Sequence, residues 1–282
     1  GWREFDRSRY RIADDFSREF LKGVPPGASV AASDDNVLFV LIYLHYVENV
    51  RPDVHLILQG VGGADLPPLH FNPETDALYF SHHPNWNVKG LEILPLGLGF
   101  RAWRAGVPPP PPVMPKERLD GELDPLVPKD YLTDNVIGHF HYMRGVTFEY
   151  SDWPFAVREF AEALRVDPHN DVLFYNIGLI YRRQGLLEES LSLFEKSYEI
   201  NPRHIASTSR AQASDKIHEL RAEIRRLAAV ERGFPGGRAD ALTGAKLAQW
   251  HRNIASWLEG RGESLAARGH RLRTVEVLTG LR

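Results

Sequence analysis

Cysteine is absent from this chain of 282 residues. Its absence excludes disulfides, thiolate nucleophiles and cysteine metal sites. Long apolar runs are absent too, because the longest, which begins at Val37, is far shorter than the roughly 20 residues that cross a membrane. No signal peptide opens the chain, and Gly1 stands where an initiator methionine is expected. We therefore expect a processed or excised piece of a longer polypeptide.

A strong net charge is also lacking, since the formal total is only −3. That value argues against a nucleic-acid-binding protein. The charges are nevertheless unevenly placed. The first 202 residues carry 19 Lys and Arg against 29 Asp and Glu, whereas the residues from Arg203 onward carry 15 against 8. This asymmetry predicts contact between an acidic part and a basic part.

The first hundred residues have the pattern of a small α/β domain with a parallel sheet. Ile12, Phe16 and Phe20 recur at helical spacing, and a strand, a helix and a second strand follow within about 32 residues, which is the order of a parallel βαβ unit. The predicted elements are a helix over 9–22, a strand over 28–33, a buried helix over 37–48, a buried strand over 53–59, a strand over 77–81 and an interrupted edge strand over 91–103.

Five consecutive prolines, 108–112, follow this region and predict a stiff polyproline spacer. The stretch up to Asp130 stays rich in proline and charge, so it is interpreted as a linker lying over the surface. A polyproline recognition motif is the alternative. The predicted divisions are an α/β domain over 1–106, a linker over 107–130, helical repeats over 131–202 and a basic helical end over 203–282.

An internal repeat dominates the second half, which is predicted to be all-α. Four residues of one segment recur 34 residues later as the same or a similar type, and this period is typical of tetratricopeptide repeats. The pairs are Ala156 with Ser190, Phe160 with Phe194, Ala163 with Ser197, and Pro168 with Pro202. The small residues allow close helix contact, the phenylalanines fill the space between hairpins, and the prolines end the second helices. The helices beyond Pro202, including one over 262–279, are expected to cap the array.

Residues 6 to 58 resemble the soluble C-terminal region of the bacterial protein O-mannosyltransferase-like membrane proteins, which are related to glycosyltransferases that use lipid-linked sugars. The carrying motifs are Pro25-Pro26-Gly27, Asp35-Asn36, Tyr43-Leu44 and Arg51-Pro52-Asp53-Val54. Asp34 departs from the pattern, where a small residue is often seen. The resemblance implies a location outside the cytoplasm. It implies that transferase chemistry resides in a membrane part that this chain lacks.

Asp34, Asp35 and Asn36 form the first candidate site, where a parallel strand ends and a helix begins. Ligands favour this edge of open α/β sheets, and carboxylate and amide oxygens can hold a divalent cation or sugar hydroxyls. The alternative interpretation is a helix N-cap. The pairs His82-His83 and His139-His141 do not predict a metal site, because adjacent or alternate residues point in different directions.

The second candidate site is the groove of the repeat array, lined mainly by the first helix of each hairpin. Its predicted residues are His139, Tyr142, Val146 and Glu149 in the first repeat, and Val172, Tyr175, Asn176, Leu179, Arg182 and Arg183 in the second. Asn176 resembles the groove asparagine that contacts a bound peptide backbone. The alternative is that the hairpins pack on the α/β domain and the last helices, which leaves no open groove.

Together these patterns favour a protein–protein interaction or self-assembly scaffold outside the cytoplasm. The expected partners are a protein or peptide in the groove and further copies joined head to tail; a glycan or membrane surface facing the basic end is an alternative. No catalytic residue, metal, cofactor or nucleic acid is predicted. The rival hypothesis is an enzyme-like or sugar-binding domain acting through Asp34, Asp35 and Asn36.

Overall fold

The computed structural model describes residues 10–58, 76–84, 90–107, 110–111, 113–127, 129–202, 213–233, 241–260, 270–272 and 274, without the side chains of 213, 227–233, 241–244 and 256–260. Most of the polyproline run and most of the expected helix over 262–279 lie outside these residues. The chain divides into two compact units, residues 1–149 with 165–167, and residues 150–164 with 168–282. This boundary differs from the one expected near residue 106.

Unit 1 contains a five-stranded sheet with the order β2-β1-β3-β5-β4. Strand β1 is parallel to β2 and β3, whereas β5 is antiparallel to β3 and β4. The expected βαβ unit is therefore present. The sheet as a whole is mixed, although a parallel sheet was expected. The strands are β1 Ser29–Ala32, β2 His55–Leu58, β3 Leu78–Phe80, β4 Leu91–Leu96 and β5 Gly99–Arg104.

The expected single strand over 91–103 is instead a hairpin. Strands β4 and β5 pair from Leu91 opposite Arg104 to Leu96 opposite Gly99. Gly97 turns the chain between them with a φ of +66°, which glycine adopts without strain. Pro95 lies in β4 at the rim of the sheet, where its missing N–H is tolerated. The edge position of this proline was predicted correctly.

In the described part of unit 1, two helices precede this hairpin. Helix α1, Ile12–Lys22, buries Phe16 and Phe20 as its spacing predicted. Helix α2, Asp35–Ile42, continues as one π-helical turn from Tyr43 to Val47. The expectation that this helix is largely buried is wrong for one of its faces. The apolar face of Val37, Leu38, Leu41 and Leu44 is buried, and the opposite face exposes Phe39, Tyr43, Tyr46 and Val47.

Strand β2 is likewise only half-buried, with His55 exposed, because it forms the other edge of the sheet. The sequence pattern of this strand predicted full burial. An edge strand has a neighbour on one side only, so its apolar residues keep some contact with solvent.

The described part of the expected linker, residues 113–127, is anchored to unit 1. Leu119 and Val127 are buried in its core. The buried carboxylate of Glu122 lies 3.0 Å from His141 Nε2 and accepts hydrogen bonds from Arg118 and the Leu119 main chain. His141 belongs to helix α3, Tyr131–Phe148. The segment is thus part of the fold and not a free spacer.

Unit 2 is helical. Its elements are α4 Trp153–Val166, whose last two residues belong to unit 1, α5 Asp171–Arg183, α6 Leu187–Ile200, α7 Ala213–Gly233 and α8 Ala241–Gly260. Helices α5 and α6 form a hairpin in which Ser190 Oγ donates to the Gly178 carbonyl at 2.7 Å. Ile217 and Leu220 of α7 join the same core. Among the described residues, no helix is long and apolar enough to cross a membrane.

The small and aromatic residues that recur in the sequence are fully buried, whereas the recurring Pro168 and Pro202 are exposed. The side chains of Ala156, Phe160, Ala163, Ser190, Phe194 and Ser197 each have 0 % of their surface exposed. Phe160 packs beside Trp153 and Tyr181, and Phe194 packs beside Tyr175. The expected burial of both phenylalanines is confirmed.

Candidate functional site

Asp34 lies at the carboxyl end of β1 and caps α2. Its Oδ1 accepts a hydrogen bond from the Asn36 main-chain N–H at 3.0 Å, which confirms the capping interpretation. Its backbone is unusual, with φ at 71° and ψ at 123°, a region that residues with a side chain rarely adopt. The carboxylate of Asp35 is exposed and has no hydrogen-bond partner among the described residues. The two carboxylates therefore do not share a common partner.

Asn36 connects α2 to α3. Its Nδ2 donates to Asn135 Oδ1 at 3.2 Å, and Asn135 Nδ2 reaches Asp167 Oδ2 at 3.5 Å. This chain of amides and a carboxylate has a structural role, because each hydrogen bond joins different segments of unit 1.

The crevice between β1 and β3, where ligands of open α/β sheets usually lie, is bridged by serine. The Ser33 main-chain N–H donates to Ser81 Oγ at 2.9 Å, and Ser81 Oγ donates to the Ser33 carbonyl at 3.0 Å. The Ser81 hydroxyl also lies 3.2 Å from His82 Nδ1, so it contacts both the backbone and a side chain. Ser81 thereby closes the crevice.

Two half-buried histidines stack behind this bridge. The rings of His82 and His139 are 4.2 Å apart and nearly parallel, and His139 Nε2 lies 3.3 Å from the Ser81 carbonyl. Removal from water lowers the pKa of His82, although the charge of Asp34 partly opposes this shift. Removal from water, reinforced by His82, also holds the pKa of His139 well below 6.5. Both rings are therefore neutral at pH 7.

The expected groove of the first repeat is occupied by unit 1 itself. His139 stacks on His82, and Tyr142 packs against the core of the unit. Val146 and Glu149 are buried. The sequence periodicity placed these residues on one helix face correctly, but it gave no sign that the sheet covers that face.

In the second repeat the groove residues divide into two groups. Tyr175 is buried against Phe194 and does not line a groove. Arg182 lies 3.1 Å from Glu219 and 3.5 Å from Glu223 of α7, so it joins two helices. The remaining residues leave an accessible strip on α5, in which Asn176 and Leu179 are half-buried and Val172 and Arg183 are exposed.

No family model matches the chain. Comparison with curated proteins finds Protein NPGR2 of Arabidopsis thaliana, which is 28 % identical over 90 residues. The match covers 30 % of this chain and 12 % of that protein. No solved structure matches. These comparisons place the chain in no family.

The motif residues singled out near the start of the chain meet around one arginine. The Arg51 guanidinium donates to the carbonyls of Leu21, Val24 and Pro25 at 2.6, 2.7 and 3.1 Å, and forms two hydrogen bonds with Asp53. Asp53 also accepts from the Gly27 main chain at 3.2 Å. These hydrogen bonds join the turn at Pro25-Pro26-Gly27 to the turn before β2, which gives both motifs a structural role.

A cleft that sequence reasoning missed lies in unit 1, where residues 122–129 meet α3 and the residues at 165–166. Its volume is about 340 Å³. Its lining combines apolar and charged side chains, namely Glu122, Leu123, Asp124, Pro125, Lys129, Asp134, Ile137, Arg165 and Val166. The sequence offered no clear signal, because residues 107–130 were interpreted as a linker and Asp134 fell within the region of the predicted helical repeats.

Proposed function

We propose that residues 131–202 form two tetratricopeptide-type hairpins and that the chain is a protein–protein interaction module. The observation that supports this most directly is the identical burial of residues 34 positions apart. Phe160 and Phe194 are fully buried, as are the small residues Ala163 and Ser197. The spacing of these residues equals the period typical of tetratricopeptide repeats, and their burial agrees with the roles that such repeats give them.

The proposed binding surface is the accessible strip of α5, formed by Val172, Asn176, Leu179 and Arg183. Asn176 has no side-chain hydrogen bond among the described residues, so its amide can pair with the backbone of an extended peptide. Val172, with 47 % of its surface exposed, offers an apolar contact beside it. A peptide is favoured over a folded partner because the strip is one helix wide.

Panning of a random peptide display library against the purified chain tests this proposal. Selected peptides are expected to bind wild type and to lose about tenfold or more in affinity for Asn176→Ala, since the backbone groups of the peptide are then left without their partner. Glu188→Ala is the control, because Glu188 is exposed on α6 outside the strip. Peptides that bind both variants equally would show that α5 is not the surface.

We also propose that the α/β part is related to the soluble region of the O-mannosyltransferase-like membrane proteins and lies outside the cytoplasm. The resemblance over residues 6 to 58 is the basis of this proposal. The hydrogen bonds of Arg51 and Asp53 also join two of its motifs, the turn at Pro25-Pro26-Gly27 and the turn before β2. Alkaline phosphatase fused to the natural polypeptide after this segment is expected to be active. If the alkaline phosphatase fusion is inactive and a fusion of the same segment to a reporter that works only in the cytoplasm is active, this location would be refuted.

A second candidate function is ligand binding at Asp34, Asp35 and Asn36. The strained backbone of Asp34 and the exposed carboxylate of Asp35 are the observations that favour it, because such strain concentrates at functional sites. Calcium or a monosaccharide titrated into wild type and the Asp34→Asn/Asp35→Asn variant distinguishes the functions. Binding that only wild type shows would support the site; its absence in both would leave Asp34 a helix cap.

A further inference from the structure

The cleft of unit 1 combines three properties that a site for a cationic amine requires. Its volume of about 340 Å³ lies in the range of small-ligand pockets. Its apolar walls, Leu123, Pro125, Ile137 and Val166, can contact an aliphatic stem. Its third property is an uncommitted carboxylate, that of Asp134.

The cleft lining holds four other charged groups, those of Glu122, Asp124, Lys129 and Arg165, and each of them already has an interaction within the chain. The Lys129 ammonium donates to three main-chain carbonyls, those of Gly121, Asp124 and Val127, at 3.1 to 3.2 Å. Glu122 is engaged by His141 and Arg118. All three protons of Lys129 are therefore used to hold the turn, but its positive charge still acts on Asp134 and partly opposes the rise in the pKa of that carboxyl.

Asp134 differs from these groups because its carboxylate has no hydrogen-bond partner among the described residues. Asp130, its neighbour, is engaged by the main chain and hydroxyl of Thr133, and Asp167 is reached by Asn135. Burial, followed by the charges of Asp167 and Asp130, raises the pKa of Asp134. A bound cation would relieve this repulsion.

We propose that the cleft binds a primary ammonium group on an aliphatic stem, with Asp134 as its counter-ion and Leu123, Ile137 and Val166 around the stem. A free alkylamine and the lysine side chain of a polypeptide share this chemistry. The site is separate from the α5 strip, and its existence does not depend on the proposed repeat function.

The test is an NMR titration of the full ¹⁵N-labelled chain with N-acetyl-lysine methylamide, and with neutral N-acetyl-norleucine methylamide as the matched ligand. The lysine compound is expected to shift the amides of Asp134 and Ile137 in a saturable manner, and the norleucine compound is expected to bind at least about tenfold more weakly. Equal binding of the two compounds, or no shift at these amides, would overturn the proposal.

Three variants complete the test. Asp134→Asn is expected to weaken binding about tenfold or more, because it removes the charge at nearly constant shape. Leu123 is 67 % exposed, so its replacement by alanine is not expected to disturb folding. Leu123→Ala is expected to weaken binding of the lysine compound roughly threefold, because it removes contact with the aliphatic stem. Glu117→Gln, at an exposed carboxylate outside the cleft lining, is the control and should bind like wild type.

Two sources of the amine are separated by a parallel titration with butylamine. Affinity for butylamine equal to that for the lysine compound identifies a free alkylamine site. Clearly tighter binding of the lysine compound identifies a site for a polypeptide side chain. Unchanged affinity in Asp134→Asn, with its fold verified by circular dichroism, would refute the role of the carboxylate for either source.

Discussion

Single side chains in unit 1 connect parts of the chain that are distant in sequence. Arg51 is the clearest case, because one planar guanidinium satisfies the carbonyls at the end of α1 and the carboxylate of Asp53 together. Only 24 % of its side chain is exposed, so its hydrogen bonds to the main-chain carbonyls are partly protected from water, whereas those to Asp53 lie at the surface. A lysine offers a single charged centre and cannot reproduce this planar arrangement.

We therefore expect Arg51→Ala to lower the free energy of unfolding by roughly 2 to 4 kcal/mol, since it leaves several main-chain acceptors unpaired. Arg51→Lys should recover only a small part of this loss. Urea denaturation followed by circular dichroism measures both values. Arg11→Ala, at a side chain 66 % exposed, is the control and should change little. An Arg51→Ala variant as stable as wild type would contradict the proposed structural role.

Asp34 allows a second prediction at the residue scale, because its cap and its strain act in opposite directions. Asp34→Ala loses the hydrogen bond to Asn36 and keeps the strained backbone, so it should cost about 1 to 2 kcal/mol. Asp34→Gly loses the same bond but relieves the strain, and it should be near neutral. Thermal or urea unfolding of both variants measures the difference. Equal destabilisation by alanine and glycine would show that the backbone is not strained.

Individual elements show how far the sequence alone could be interpreted. The spacing of Ile12, Phe16 and Phe20 predicted α1, and the 34-residue recurrence predicted which aromatic residues are buried. Both succeed because burial of one face imposes a period on the sequence. The β4–β5 hairpin was missed because Pro95, Gly97 and Gly99 were taken as interruptions of one strand, although Gly97 marks a turn.

Other errors have a common physical origin. Periodicity shows which face of an element is apolar, but it does not show what covers that face. The exposed Phe39, Tyr43 and Tyr46 of α2 were therefore expected to be buried. In the same way, His139 was expected to face a groove and stacks instead on His82. The cleft around Asp134 depends on the chain folding back at residues 122–129, which no local pattern encodes.

The repeated helices give a prediction at the element scale. Phe160→Ala and Phe194→Ala should each lower the free energy of unfolding by roughly 3 to 5 kcal/mol, because each leaves a cavity at a fully buried position. Tyr150, which is 80 % exposed, provides the control, and Tyr150→Ala should change stability by less than about 0.5 kcal/mol. Chemical denaturation of all three variants checks this pattern. A small effect at either phenylalanine would contradict the repeat register.

The stacked histidines predict a dependence of stability on pH. Because the folded-state pKa of His139 is held well below 6.5, the unfolded chain binds protons more readily than the folded chain as the pH falls. The contribution of the neutral ring is therefore complete above about pH 6.5 and is lost at lower pH. Urea denaturation between about pH 5 and 8 should show this slope, and His139→Gln should flatten it. An unchanged slope in the variant would assign the effect to other groups.

At the scale of the whole molecule, we propose that the division into an acidic first part and a basic last part leads to self-association. Opposite charges on two different surfaces promote head-to-tail contacts, which build rings or filaments and not closed dimers. Such contacts weaken with added salt, because charges in water are screened beyond roughly 8 Å at physiological ionic strength. Trp250 and Trp257 are the candidate apolar anchors of this contact. Half-buried Trp250 packs on the core of unit 2, and the side chain of Trp257 lies outside the described residues.

Sedimentation velocity at low and high salt checks this prediction. We expect larger species at high protein concentration and low salt, and their loss in Arg225→Glu/Arg226→Glu, which reverses two exposed charges of α7. Arg225→Lys/Arg226→Lys keeps the charge and should associate like wild type. Wild type that remains monomeric under all these conditions would refute head-to-tail assembly.

The pairing of Ser29 with Leu78 has a consequence for the kinetics of folding. A parallel pairing of this kind must close a long loop before it gains any hydrogen bonds, so it forms slowly. The α5–α6 hairpin brings Gly178 and Ser190 together by closing only a short loop, so we expect it to form faster. In pulse-labelling hydrogen exchange, the amides of α5 and α6 should thus gain protection before those of β1. During synthesis the sheet leaves the ribosome first but is the slower structure to complete, and its unpaired strands are then available to neighbouring nascent chains.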